Sequence, residues 1–135
     1  MKGENIYMEK TKGSRTYKDR LFRRVFSSRE DLLSLYNAVN HSDYKDASAL
    51  EVTTIEDVLY MGMKNDVSFL IEDYMNLYEA QASWNPNMPL RGLFYFARLY
   101  SGYVETHHLD VYSKARLKLP TPRFIVFYNG TERDE

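Results

Sequence analysis

Asp66 and Glu79 are the residues of this chain best placed to do chemistry. Each sits in a stretch of strand-forming composition, NDVSFLI (65–71) and NLYEAQ (76–81), and only a short loop separates the two. Adjacent stretches of this kind fold back as a hairpin. With the loop running from Glu72 to Met75, Ile71 faces Asn76, which places Asp66 opposite Gln81 and Ser68 opposite Glu79. Side chains alternate along a strand, so Asp66, Ser68, Glu79 and Gln81 share one sheet face, with opposed Cβ atoms about 5 Å apart. Two carboxylates so arranged suit a hard divalent cation, Mg2+ with Mn2+ as an alternative, because such ions take oxygen ligands and complete their shell with water and substrate phosphate. A cation held there acidifies water and offsets charge developing on a phosphodiester, so hydrolysis is the expected reaction. Gln81 points to the same side and orients the attacking water or the scissile phosphate through its amide, which carries no positive charge. On spacing alone, one acid on each arm of a hairpin is usually a solvated pair.

The elements that must hold this hairpin are legible around it. YKDRLFRRVF (17–26) spaces Leu21, Phe22, Val25 and Phe26 as the apolar side of a short amphipathic helix, leaving Lys18, Arg20, Arg23 and Arg24 on its other faces. Lys18 and Arg23 are candidates for phosphate contact, although a charged stripe is more often a helix's wet face. Ser27 and Glu30 have capping-box spacing, and a second helix follows to about Asn40 with Leu32, Leu33, Leu35, Tyr36 and Val39 as its stripe. Leu50 to Thr54 suits a strand, and Val58 to Met63 another strand or its lead-in. Asn85, Pro86, Asn87 and Pro89 end the hairpin, and a third helix starts near Pro89 with Leu90, Leu93, Phe94, Phe96, Ala97 and Tyr100 as a core stripe. Thr106 to Pro122 is a linker with a short strand near Val111. FIVFY (124–128) has no polar face and reads as an inner strand buried on both sides, followed by a turn at Asn129 and Gly130. His107 and His108 have no acidic partner at ligand spacing beyond Glu105 and Asp110 and read as loop residues, and nothing ties Trp84 to a ligand.

Composition bounds the rest. A chain of 135 residues with 44% hydrophobic and 15% aromatic residues has the apolar area to build one core, so intrinsic disorder is excluded as its general state. Residues 1–16 are read as a polar, flexible leader and 17–135 as the folded unit. A net charge of −1 excludes a global positive field, so any attraction to nucleic acid must be local. The absence of cysteine excludes disulfides and thiolate chemistry. With neither a signal-peptide pattern nor an apolar run long enough for a membrane helix, no membrane partner is expected and the cytoplasm is the default location.

MKNDVSFLIEDYMNLYEAQASWNPNMPLRGLFYFARLY (63–100), LPTPRFIVFYNG (119–130) and the opening YKDRLFRRVF together resemble the recombination-promoting nuclease and transposase-like family of the PD-(D/E)xK nuclease superfamily. The resemblance spans nearly everything after Thr16. It implies an α/β fold with a restriction-endonuclease-like core: a mixed central β-sheet flanked by helices, with an acid on one strand and an acid-x-lysine pair on the next. Asp66 falls on the first acid, Glu79 on the second, and Gln81 on the lysine position, which in this family is commonly glutamine. Asp19 matches an acid of the opening helix, and Arg91 and Tyr95 lie in the PLRGLFYF helix as substrate contacts. The implied activity is a Mg2+-dependent DNA endonuclease linked to recombination or transposition. Two departures stand out. Glu79-Ala80-Gln81-Ala82 replaces the family's Glu-His-Gln-Ser, and the sequence ends five residues after Gly130, which reads as a core truncated at its C-terminus. Two alternatives follow: a nuclease-fold module that binds DNA or protein without cutting, and a fragment that forms a homodimer through the aromatic helix after Pro89.

Overall fold

A computed structural model describes residues 22–55 and 66–128. The leader, Lys18, Asp19, the 56–65 segment with its Val58 to Met63 stretch, and the turn at Asn129 and Gly130 lie outside the described residues. Four strands form one mixed sheet in the order β1-β2-β3-β4: β1 Leu50–Val52, β2 Asp66–Ile71, β3 Tyr74–Gln81 and β4 Thr121–Tyr128. β1, β2 and β3 run antiparallel in turn, and β4 is parallel to β3. Parallel neighbours need a crossover, and the 19-residue helix α2, Met88–Thr106, lies in the β3-to-β4 connection. Helix α1, Arg29–Asn40, precedes the sheet.

The hairpin is tighter than its sequence suggests. Glu72 and Asp73 alone make the turn, with Glu72 in the left-handed region at φ 51°, so Ile71 faces Tyr74 and Asp66 faces Glu79 rather than Gln81. Ser68 faces Leu77. The shift is two residues on one arm, an even number, so every side chain keeps the face expected of it.

Period-two alternation divides the sheet cleanly. Val67, Phe69, Ile71 and Tyr78 pack with Leu32, Leu33 and Tyr36 of α1 and with Leu50. Tilted and edge-to-face rings run across this layer, Tyr36 to Phe69 at 5.9 Å, Phe69 to Tyr78 at 5.1 Å and Tyr78 to Phe127 at 5.6 Å between centroids. Arg123 ties β4 to α1 by donating to Asn40 Oδ1 at 3.0 Å while lying over the Tyr74 ring. On the opposite face Met75 and Leu77 pack with Tyr95 and Leu99 of α2, with Leu70, Phe96 and Phe124 around them.

Local chemistry sets the helix bounds. Ser28, not Ser27, caps α1: its Oγ accepts from Asp31 N–H at 3.1 Å and donates to Asp31 Oδ2 at 2.8 Å, so the cap follows the serine three residues before Asp31. Pro89 lies in the first turn of α2, where a missing N–H costs nothing. The buried stripe of α2 is Met88, Gly92, Tyr95 and Leu99, while Leu90, Leu93 and Phe94, expected in the core, are about half exposed or more. A Cβ on Gly92 would lie 2.5 Å from the Phe124 ring, so α2 rides very close to β4.

Two further expectations are corrected. β4 is the end strand of the sheet among the described residues, and Val126 and Tyr128 are each 39% exposed, so FIVFY is not an inner strand covered on both sides. The residues around Val111 form turns closed by Asp110, whose side chain accepts from Tyr112 N–H at 2.9 Å, and no strand forms there.

Candidate functional site

Asp66, at the start of β2, and Glu79, near the end of β3, are direct cross-strand partners on the α2 face of the sheet, and both are fully buried. Directly opposed residues bring their Cβ atoms to about 4.5–5.5 Å. This is closer than the offset pairing expected from a longer loop. Gln81, two residues on, shares the face and donates its amide to Glu79 Oε2. Ser68, one step further from the chain ends of the pair, has its hydroxyl engaged with Thr53 Oγ1 at 2.9 Å and belongs to the packing of the 53–55 segment.

Buried carboxylates are costly unless charge and hydrogen bonds answer them, and two arginines do so. Arg23 donates from Nη2 to Asp66 Oδ1 at 2.6 Å and from Nε to the Asp66 carbonyl at 3.0 Å. It also reaches the Ile55 carbonyl at 3.4 Å. Arg91, in the second turn of α2, donates from Nη2 to Glu79 Oε2 at 3.1 Å. The arginine side chains keep 23% and 22% of their surface open while their partners keep 0% and 1%, so each guanidinium forms the wet side of its pair. Tyr95, one turn beyond Arg91, lies against the Asp66 carboxyl, and its hydroxyl accepts from Ile55 N–H at 3.0 Å. Asp66 Oδ2 nevertheless has no hydrogen bond of ordinary geometry among the described residues.

Burial raises the Asp66 carboxyl above its ordinary value of 3.8, with Tyr95 and then Arg23 pulling the other way. Desolvation wins, which leaves a carboxylate that gains by meeting a cation. Burial and then the charge of Asp66 push the Tyr95 phenol far up, so Tyr95 stays a neutral hydroxyl.

All three residues expected to carry the chemistry, Asp66, Glu79 and Gln81, therefore converge. Three others come with them: Arg23 and Arg91, candidates for DNA contact, donate to the two carboxylates, and Tyr95, a candidate substrate contact whose helical aromatic position reads more readily as core, is buried against Asp66. For α2 a signal existed. Arg91 and Tyr95 are four residues apart, on one helix side beside buried Gly92, which is the side that must meet the sheet. Ile55 carries no such signal, because it contributes only backbone groups.

A cation fits this chemistry in one respect that can be read directly, the buried Asp66 Oδ2, which among the described residues has no hydrogen bond of ordinary geometry. Among the described residues no group of three or more His, Cys, Asp and Glu is placed to hold a metal. The protein donors would thus be the two carboxylates with the Gln81 amide oxygen, a sparse set suited to an ion that retains water. Beside Ile55 a groove of about 260 Å³ opens between the 51–55 segment and α2, lined by Val52, Thr53, Arg98, Leu99 and Gly102. No helix among the described residues is long and apolar enough to cross a membrane. Comparison with protein-family models, curated proteins and solved structures finds no match to the chain.

Proposed function

We propose that this chain is a metal-dependent DNA endonuclease of the PD-(D/E)xK type, with a restriction-endonuclease-like core and a link, through the family it resembles, to recombination or transposition. The observation that carries the reading is the direct pairing of buried Asp66 with buried Glu79, with Gln81 on the same face. A mixed sheet between two helices, with an acid on one strand and an acid-x-glutamine on the next, agrees with the arrangement the resemblance implies.

In this reading Asp66 and Glu79 hold Mg2+ or Mn2+ and Gln81 sits beside it. When bound, the ion supplies Lewis acidity and a more acidic water at neutral pH. The chain's own residues do the rest. Asp66 is desolvated, so its ionised form gains from a cation placed against it. Gln81 gives one amide hydrogen to Glu79 and retains a second for a phosphate oxygen or the attacking water. Arg23 and Arg91 provide the local positive charge that a net charge of −1 withholds from the molecule as a whole.

Isothermal titration with MnCl2 on the wild type and on Asp66→Ala, beside plasmid cleavage, tests the reading. The wild type is expected to bind Mn2+ and cut, and Asp66→Ala to lose the heat and at least about 10²–10³-fold of the rate. Equal heats in the two proteins would remove the assignment. A second reading, a module of the same fold that binds DNA without cutting it, draws on the fact that each carboxylate already has an arginine. It predicts plasmid binding with no turnover at any Mg2+ or Mn2+ concentration.

A further inference from the structure

An acid-x-lysine pair places a fixed positive charge beside its second acid. The residue two after Glu79 is Gln81, an amide with no charge at any pH. The charge is present all the same, delivered from a different element. Arg91 of α2 sets Nη2 3.1 Å from Glu79 Oε2, the same oxygen that receives the Gln81 amide, so the guanidinium and the amide meet at one atom.

Its position is fixed from both sides along the helix. One turn earlier, Met88 is buried, and its sulfur lies 3.4 Å from Arg91 Nη1. The next residue, Gly92, lets α2 approach the Phe124 ring more closely than any side chain would. One turn later, Tyr95 is buried against Asp66. Arg91 also has donors to spare. Its Nε is buried without a hydrogen-bond partner among the described residues, and a guanidinium carries five N–H groups in a planar fork that matches phosphate.

We propose that Arg91 is the catalytic cation of this site: in the free protein it neutralises Glu79, and with divalent ion and DNA bound it turns its fork to the non-bridging oxygens of the scissile phosphate. This deepens the nuclease reading and rests on it. The two roles have opposite consequences for binding and for rate. As the counter-ion of Glu79, Arg91 competes with the divalent ion for the carboxylate. As a phosphate ligand it stabilises the charge that develops during hydrolysis.

The test measures both on full-length protein: the MnCl2 isotherm without DNA, and plasmid cleavage at saturating Mn2+. Arg91→Gln is expected to bind Mn2+ several-fold more tightly than the wild type and to cut about 10²–10³-fold more slowly. Arg91→Lys, which keeps the charge but loses the planar fork, is expected to recover part of the cleavage lost in Arg91→Gln. A tether that merely held α2 in place would weaken Mn2+ binding when removed, so tighter binding separates the two roles. Wild-type cleavage in Arg91→Gln, or Mn2+ binding that weakens in a variant with an unchanged circular dichroism spectrum, overturns the inference and leaves the nuclease reading standing. If Arg91→Gln does not fold, Arg91→Lys decides: cleavage as low as that of Asp66→Ala with Mn2+ still bound overturns it. A wild type that neither binds Mn2+ nor cuts removes the nuclease reading, and this inference with it.

Discussion

The two faces of the β2–β3 hairpin, built from alternate residues of the same fourteen strand positions, have been put to different uses. On the α1 face Val67, Phe69 and Tyr78 are sealed from water in a largely apolar and aromatic layer, whose polar members are the uncharged amides of Asn76, opposite Phe69, and Asn40, which reaches the Tyr78 hydroxyl at 3.4 Å. On the α2 face their immediate neighbours Asp66 and Glu79 are sealed just as completely, yet they are charged and meet two arginines and a tyrosine. Burial is equal on the two sides, so burial alone does not mark the functional one. What differs is the sign of its effect: desolvation stabilises Phe69 and works against ionised Asp66. A period of two lets one hairpin anchor a core and carry a polar site with no residue shared between them.

Substitutions on the two faces should therefore separate stability from chemistry. The largest effect is expected at Phe69→Ala, which opens a hole where the Tyr36 and Tyr78 rings meet and should lower stability by about 3–5 kcal/mol. Urea denaturation measures this directly, and a loss below about 1 kcal/mol would mean that the α1 face is not the stabilising one. The next contrast is a slope with pH. Because burial raises the Asp66 carboxyl above 3.8, the stability linked to its protonated form is complete below that value and is lost as the pH climbs through the raised one. In metal-free buffer the melting temperature of Asp66→Asn relative to wild type should thus improve from pH 4 upward. A difference that shrinks over that range would show that Arg23 outweighs desolvation. The smallest effect is a cap remote from either face: Ser28→Ala should cost about 1 kcal/mol and leave Mn2+ binding unchanged. Altered metal binding in that variant would show that the site is coupled to the start of α1.

Much of this arrangement can be read from the sequence, and the errors have physical causes. Asp66, Glu79 and Gln81 share a face because alternation survives any even slip in register, so the longer loop assumed for the hairpin does no harm to that conclusion. The loop itself is misread because neither Glu72 nor Asp73 is the glycine or asparagine that usually marks a two-residue turn, and a glutamate at positive φ leaves no compositional trace. The FIVFY run fails in another way. Apolar residues on both faces of a strand report potential burial, while position in the sheet decides how much is realised, and β4 stands at the end of the described strands. The arginine partners are legible only as cations on helices, because which carboxylate each one meets is settled by how helices dock on the sheet. The exposed Leu90, Leu93 and Phe94 show the same limit, since helical spacing gives a stripe's existence and not which flank of it lies inward.

The parallel pairing of β3 with β4 has one consequence for how the molecule tolerates change. A crossover helix must set out from where the preceding strand stops, so the first turns of α2 are obliged to land next to Gln81 and Glu79, whatever path the chain takes afterwards. The return path through exposed residues 110–116 is under no such obligation. Extra length inserted there would leave the end of the crossover beside Glu79 and Gln81 untouched, which makes that bend the natural place to graft a tag or reporter.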